Sequence, residues 1–333
     1  MLRAGSDRLP TVRQDFFLDA DHRLTEQERA LMTAMLHRLV ADIASEIQLA
    51  LPGDWLPAND DVEALIDRIS KAGLLDLGDL LGLFLRRADE QRIAFALDAV
   101  SRPASANLIH PFVSDEQGGI AAAAMAVLMA RGRRRDRYGR TIVELDDIPP
   151  QTAEPLVYAV AAGFRESIPV HLPAGRTERQ LCDAATVLIR RQEPSRALDS
   201  QMEHLVSLLG DAGRLDDALI DKAIELGDLN FLAHALGRRA SLHHDVSFDE
   251  LMSCNARRAM MVLRLADCPR STAAQLLATL GDFMGLGGDT QTLDAFSAWT
   301  AEQLEAARNW LQLEQAFQTA LRCVAHGNGH RAH

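Results

Sequence analysis

Lysine is almost missing from this chain: of its 35 basic residues only Lys71 and Lys222 are lysines. Arginine therefore carries nearly all the positive charge, and a count of arginines alone says little about a ligand. Aromatic residues make up 5%, which leaves a core to be filled by Leu, Ala, Ile, Val and Met and favours helices over sheets. Cys182, Cys254, Cys268 and Cys323 lie far apart with no CxxC. That spacing excludes the usual zinc and disulfide frameworks, and the thiols are expected to be buried and neutral.

Other absences narrow the function classes. No apolar run reaches the roughly 20 residues that cross a bilayer. There is no phosphate-cradling glycine loop, no nucleophile beside a base and no histidine set at metal spacing. Accordingly, no cofactor and no metal is expected. A net charge of -12 argues against nucleic acid and anionic membrane as partners. No leader is visible over 1–13, and the expected setting is cytoplasmic.

What is present is helical periodicity. Thr25 and Glu28 form a capping-box pattern, followed by Leu31, Met32, Met35, Leu36, Leu39, Val40, Ile43, Ile47 and Leu51 at spacings of three and four. A stripe of that length reads as the seam of a homodimer, and so does the apolar segment from Leu293 to Val324. Pro52 ends the first helix, and Asn59 caps the next. Gly73 stops that helix, Leu74 to Leu85 is expected to be deep, and Asp89 is expected to open a new helix. The run from Ile120 to Ala130 has no polar side and reads as an internal pillar covered by other helices. Pro169, Pro173 and Gly175 mark a boundary. These signals predict an all-α protein of antiparallel helical pairs, HEAT-like or an irregular α-α superhelix or bundle. The expected order is an N-terminal extension (1–24) carrying Phe16 and Phe17, helical domains over 25–168 and 176–325, and a disordered tail (326–333).

The strings AAAAMAVLMARGRRRDRYGR, LVYAVAAGFRE and IELGDLNFLAHALGRRASL, with the helices that follow them, resemble an uncharacterised bacterial family, a domain of unknown function with HEAT-like helical pairs. The resemblance runs from about Thr25 to Met284 and implies a fold rather than an activity. No clean fixed period accompanies it, as a regular array would require.

The sharpest local feature is an arginine loop: Arg131, Arg133, Arg134, Arg135, Arg137 and Arg140 place six cations in ten residues, with Tyr138 as a stackable ring. Guanidinium forks suit carboxylate and phosphate, so these seven residues are the candidate contact site for an acidic or phosphorylated protein partner. The plainer alternative is a solvated loop whose arginines pair with Glu144, Asp146 and Asp147. On either reading, replacing Arg133, Arg134 and Arg135 by Ala should leave the fold intact. The chain as a whole thus reads as a non-enzymatic regulatory scaffold. Two other readings are weighed against it. Asp216, Asp217 and Asp221, with Asp60, Asp61 and Asp67, are of the kind that hold Mg in all-α isoprenoid enzymes, but they also sit where helices start. His37, on the long helix, sits where a phosphorelay histidine would, and His243 and His244 read as a loop without a third metal ligand.

Overall fold

The computed structural model describes residues 24–51, 62–101, 107–166, 168, 175–286, 290–314, 317, 318, 320, 321 and 324. The expectations placed on Phe16, Phe17, Pro52, Asn59, Asp60, Asp61, Pro169, Pro173, Cys323 and the 326–333 tail fall outside them. The protein is all-α: among the described residues there are fourteen α-helices and no strand. In chain order they are α1 (Glu26–Ala50), α2 (Val62–Lys71), α3 (Gly78–Ser101), α4 (Gly118–Arg133), α5 (Pro150–Gly163), α6 (Arg176–Arg191) and α7 (Leu198–Asp211). There follow α8 (Asp217–Leu226), α9 (Leu229–Ala240), α10 (His244–Leu251), α11 (Ala256–Leu265), α12 (Arg270–Leu280), α13 (Thr290–Ser297) and α14 (Ala301–Leu311).

The helices group into two compact units, neither continuous in sequence: one holds residues up to Arg92 and Arg134–Pro194, the other Ile93–Arg133 and everything from Ser195. The division expected between 25–168 and 176–325 does not coincide with this grouping. The physical reason lies in α4, whose buried Ile120, Ala123, Ala124 and Val127 share a core with Met202, Leu205, Val206 and Leu209 of α7.

In the first unit α1 begins as its sequence demands. The Thr25 hydroxyl accepts from the Glu28 amide at 3.2 Å, and the Glu28 carboxylate accepts from the Thr25 amide at 2.7 Å, which satisfies two of the end's unbonded donors. Its stripe of Met35, Leu39, Val40, Ile43 and Ile47 packs against Leu65 and Ile69 of α2, Leu80, Leu83 and Phe84 of α3, and Leu156, Val157 and Val160 of α5. Each such buried side chain is worth roughly 1.5–3 kcal/mol. Because the chain's own helices cover it, this stripe is not a free seam for a second copy.

Two helical expectations are corrected here. Leu74 to Leu85 is not uniformly deep, since Leu74, Leu81 and Leu85 are exposed while Leu80, Leu83 and Phe84 are buried; Leu74 lies in the turn before α3, and from Gly78 onward the helix turns one side inward. Asp89 opens nothing: α3 continues through it, because its polar stretch is buried in an ion network. Arg87 pairs with Glu90 at 2.7 Å, and Arg92 bridges Asp89 at 3.0 Å and Glu28 of α1 at 3.2 Å. Burial raises the Asp89 carboxyl to about 6 against the pull of Arg92.

In the second unit the expected pillar is covered on one side only. Met125 and Met129 of α4 are exposed, leaving a small-residue face for α7 and an open methionine face opposite. The helix covered nearly all round is α9, where Asn230 and His234 are buried together with Leu229, Phe231, Leu232, Ala233, Ala235, Leu236, Gly237 and Ala240. Asp228 caps its start, accepting from the Phe231 amide at 3.1 Å. Around α9 lie α7, α8, α10 and α11. The thiols divide differently from expectation: Cys182 and Cys254 are exposed, and Cys268 is buried, with burial pushing its pKa up to about 12.

Candidate functional site

The arginine loop leaves α4 and folds into a tight hydrogen-bonded turn. The Gly139 amide donates to the Asp136 carbonyl at 3.0 Å, the Asp136 amide to the Arg140 carbonyl at 2.9 Å, and the Ile142 amide to the Arg134 carbonyl at 3.0 Å. Gly139 has φ +77°, the left-handed conformation that closes a three-residue hairpin loop and that glycine adopts without strain. The Asp136 carboxylate accepts from the Tyr138 and Arg140 amides, both at 2.8 Å, so the turn is braced from inside. A single bridge joins Arg135 to Thr141, and the Thr141 amide donates to the Gln91 side chain of α3 at 2.8 Å. This loop is therefore held by its own backbone and by a helix.

Its arginines divide into two kinds. Arg131, in the last turn of α4, makes a bidentate pair with Asp228 at 2.7 and 2.8 Å, which ties α4 to the start of α9. Arg134 is buried, and its guanidinium Nε faces both oxygens of Asp147 at 2.9 and 3.0 Å, with Glu144 3.2 Å away. Arg133 is half-buried. The expectation that these three alanine replacements would spare the fold is thus wrong for Arg134, which holds the segment before α5 in place. Asp146 is engaged elsewhere, accepting from the Glu193 amide at 2.8 Å. Arg135, Arg137 and Arg140, by contrast, are exposed and form no ion pair among the described residues. Arg137 lies over the ring of Tyr138 at 4.6 Å and Arg140 at 6.0 Å; the contacts pre-order the two guanidinium groups. The candidate site therefore contracts from seven residues to four: Arg135, Arg137, Tyr138 and Arg140.

Of the aspartates weighed for metal-dependent chemistry, the four that are described are engaged within the protein. Asp216 caps α8, accepting from the Leu219 amide at 2.9 Å; Asp217 pairs with Arg239 at 2.7 Å, Asp221 accepts from the Thr272 hydroxyl at 2.6 Å, and Asp67 pairs with Lys71 at 2.5 Å. His37 is half-buried on α1.

Sequence reasoning missed a second cluster. His243 is the N-cap of α10 rather than part of a loop, and His244 is its first residue. The ring of His244 stacks on that of His234 from α9, with centroids 4.0 Å apart and planes 11° from parallel; the His243 ring is tilted 41° to that of His244, with centroids 4.3 Å apart. Nε2 of His244 lies 3.1 Å from Asp245 and 3.7 Å from Asp199 of α7. Burial alone would lower the basicity of His244, but these two carboxylates outweigh it and raise its pKa to about 9. The rings line a cavity of about 470 Å³ together with Glu203, Ser207, Arg238 and Ser241. The sequence signals were the adjacent His243 and His244, read as a loop, and a histidine in the apolar string LNFLAHALG; three helices assemble the rest.

Comparison with protein-family models, curated proteins and solved structures gives no match to this chain. Its function is therefore argued from these two sites alone.

Proposed function

We propose that the chain is a non-enzymatic regulatory scaffold, a HEAT-like set of helical pairs in the cytoplasm, that binds an acidic or phosphorylated protein partner through Arg135, Arg137, Arg140 and Tyr138. One observation carries this reading: on a braced turn, three arginines stay exposed without carboxylate partners among the described residues, while Arg131 and Arg134 beside them are satisfied internally. An exposed, unpaired guanidinium retains its forked donors for a carboxylate or phosphate. In a molecule of net charge -12, such a tip attracts an acidic surface that the rest of the protein repels, which fixes orientation as well as affinity. Placing the contact on a loop held by rigid helices is the common arrangement for binding surfaces.

A dye-labelled acidic peptide and its phosphoserine-bearing counterpart, followed by fluorescence anisotropy, test the reading. Both should bind at low salt, weaken as salt shortens the screening length, and lose binding in the R135A/R137A/R140A variant. Equal binding by parent and variant would move the site elsewhere.

The homodimer is kept as part of the reading, on different support from the α1 stripe. Trp310, Leu313, Phe317, Leu321 and Val324 recur at spacings of three and four and are exposed. A second copy of the same stripe would cover them, as a two-fold interface requires.

A further inference from the structure

Resting on the reading of the arginine tip as a surface for acidic groups, we propose that its first occupant is the chain's own segment 15–21, which an outside partner must displace. The segment lies outside the described residues and reads DFFLDAD. Three carboxylates, Asp15, Asp19 and Asp21, flank Phe16, Phe17 and Leu18. Residues 1–14 carry Arg3, Arg8 and Arg13 against Asp7 alone, so negative charge ahead of α1 is gathered into this one block.

The start of α1 lies close to the hairpin. Leu24 is the first described residue, and its carbonyl accepts from the Arg29 side chain at 3.2 Å. The Thr25 amide donates to Glu28 at 2.7 Å, and Glu28 pairs with Arg92 of α3 at 3.2 Å. Gln91, next to Arg92, accepts from the Thr141 amide of the hairpin at 2.8 Å. This series of contacts keeps Thr25 within roughly 25 Å of Thr141, since each step spans one side chain or one Cα–Cα distance of about 3.8 Å. Both ends belong to the first compact unit. Counted back from Thr25, an extended chain covers about 14 Å to Asp21 and about 35 Å to Asp15. The tether is thus long enough to bring the three carboxylates to Arg140, Arg137 and Arg135 with α1 left in place.

The two sides are complementary in chemistry. Arg135, Arg137 and Arg140 are exposed and form no ion pair among the described residues, and guanidinium forks suit carboxylates. Phe16 and Phe17 add rings of the kind on which guanidinium planes stack, beside a Tyr138 that is 67% exposed. The net charge of -12 makes much of the remaining surface a poor place for an acidic block. A short tether holds its segment at an effective concentration on the order of 1 mM. A contact of only about 0.1 mM affinity would then occupy the tip about nine-tenths of the time and weaken binding of an outside peptide about tenfold.

Two measurements on the full chain test the self-contact. In the first, Phe17 is replaced by the photoreactive benzoylphenylalanine, and the irradiated protein is digested and mapped. Cross-links to residues 135–141 of the same chain are expected, and they should be lost in the R135A/R137A/R140A background. In the second, the dye-labelled acidic peptide is titrated into parent and D15N/D19N/D21N chains at low salt. The variant should bind it about tenfold more tightly, and the gain should vanish when the three arginines are also replaced by Ala. Cross-links at the tip with no peptide binding to either chain would sink the partner reading and leave the self-contact standing. Equal peptide affinity of parent and D15N/D19N/D21N, cross-links confined to other regions, cross-links formed only between chains, or cross-links indifferent to the arginines would each overturn it.

Discussion

Replacing Arg134 by Ala separates the structural arginine of the loop from its contact arginines. In the native protein the Arg134 and Asp147 side chains are 3% and 2% exposed, and two guanidinium nitrogens reach the carboxylate at 2.8–3.0 Å. With Arg134 gone, Asp147 keeps the Glu144 amide at 2.9 Å but loses the guanidinium that its two buried oxygens face. Removing one partner from such a pair costs about 3–5 kcal/mol. The Glu144 contact adds little, since that side chain is 32% exposed and screened pairs contribute less than about 1 kcal/mol. With a urea slope on the order of 2 kcal/mol per M, the midpoint should fall by about 2 M, read by circular dichroism. Adding D147N should recover part of the loss, because the uncompensated charge disappears while an acceptor for the Glu144 amide remains. By contrast R135A, R137A and R140A should each stay within about 0.5 kcal/mol of the parent. A loss below 1 kcal/mol for R134A would refute the division of the loop into buried and contact arginines.

Other expected outcomes are independent of the loop. Asp89 has a folded-state pKa near 6 against 3.8 unfolded, so the folded protein binds this proton more tightly. The stabilisation from that proton is full below about pH 4 and is lost as pH rises through 6, a swing of about 3 kcal/mol. D89N should flatten this component of a denaturation-against-pH profile. Ellman's reagent should label Cys182 and Cys254 in the native chain, while Cys268, held neutral by burial, reacts only on unfolding; fast native labelling of Cys268, seen by peptide mapping, would contradict its placement. Light scattering should give twice the 36.5 kDa chain mass, and F317D with L321D should return it to the monomer.

How much of this was legible in the sequence depends on the range over which each signal acts. The Thr25 capping box, the α1 stripe and the Asp216 cap are local, set by residues three or four apart, and the structure repeats them. The turn was also written locally: Asp136 followed by Gly139 is a turn signature, overlooked beside the conspicuous arginines. What could not be read locally was which polar residues are buried. Asp89 resembled a helix start because the ion network it joins through Arg92 reaches Glu28, 61 positions away. Arg134 resembled its neighbours because Asp147 lies across the turn. α4 looked like a pillar from its alanines, yet small residues fit equally well on one packed face, and α9 is the more enclosed helix despite an asparagine and a histidine. Those two polar residues are tolerated because each has a partner, and the partners come from α7 and from the helix backbone. His234, His244 and Asp199 show the same limit: their spacing in the chain has no motif, and only the packing of three helices brings them together.

The central claim is that exposed arginines on a braced turn recruit an acidic partner. Its most direct measurement is quantitative affinity capture from native extract at low salt, with parent and R135A/R137A/R140A chains side by side. The account predicts one or more acidic or phosphorylated proteins retained by the parent, released by moderate salt and depleted at least tenfold on the variant, while both chains melt together. An identical set of retained proteins on the two chains, with the same salt dependence, would contradict it.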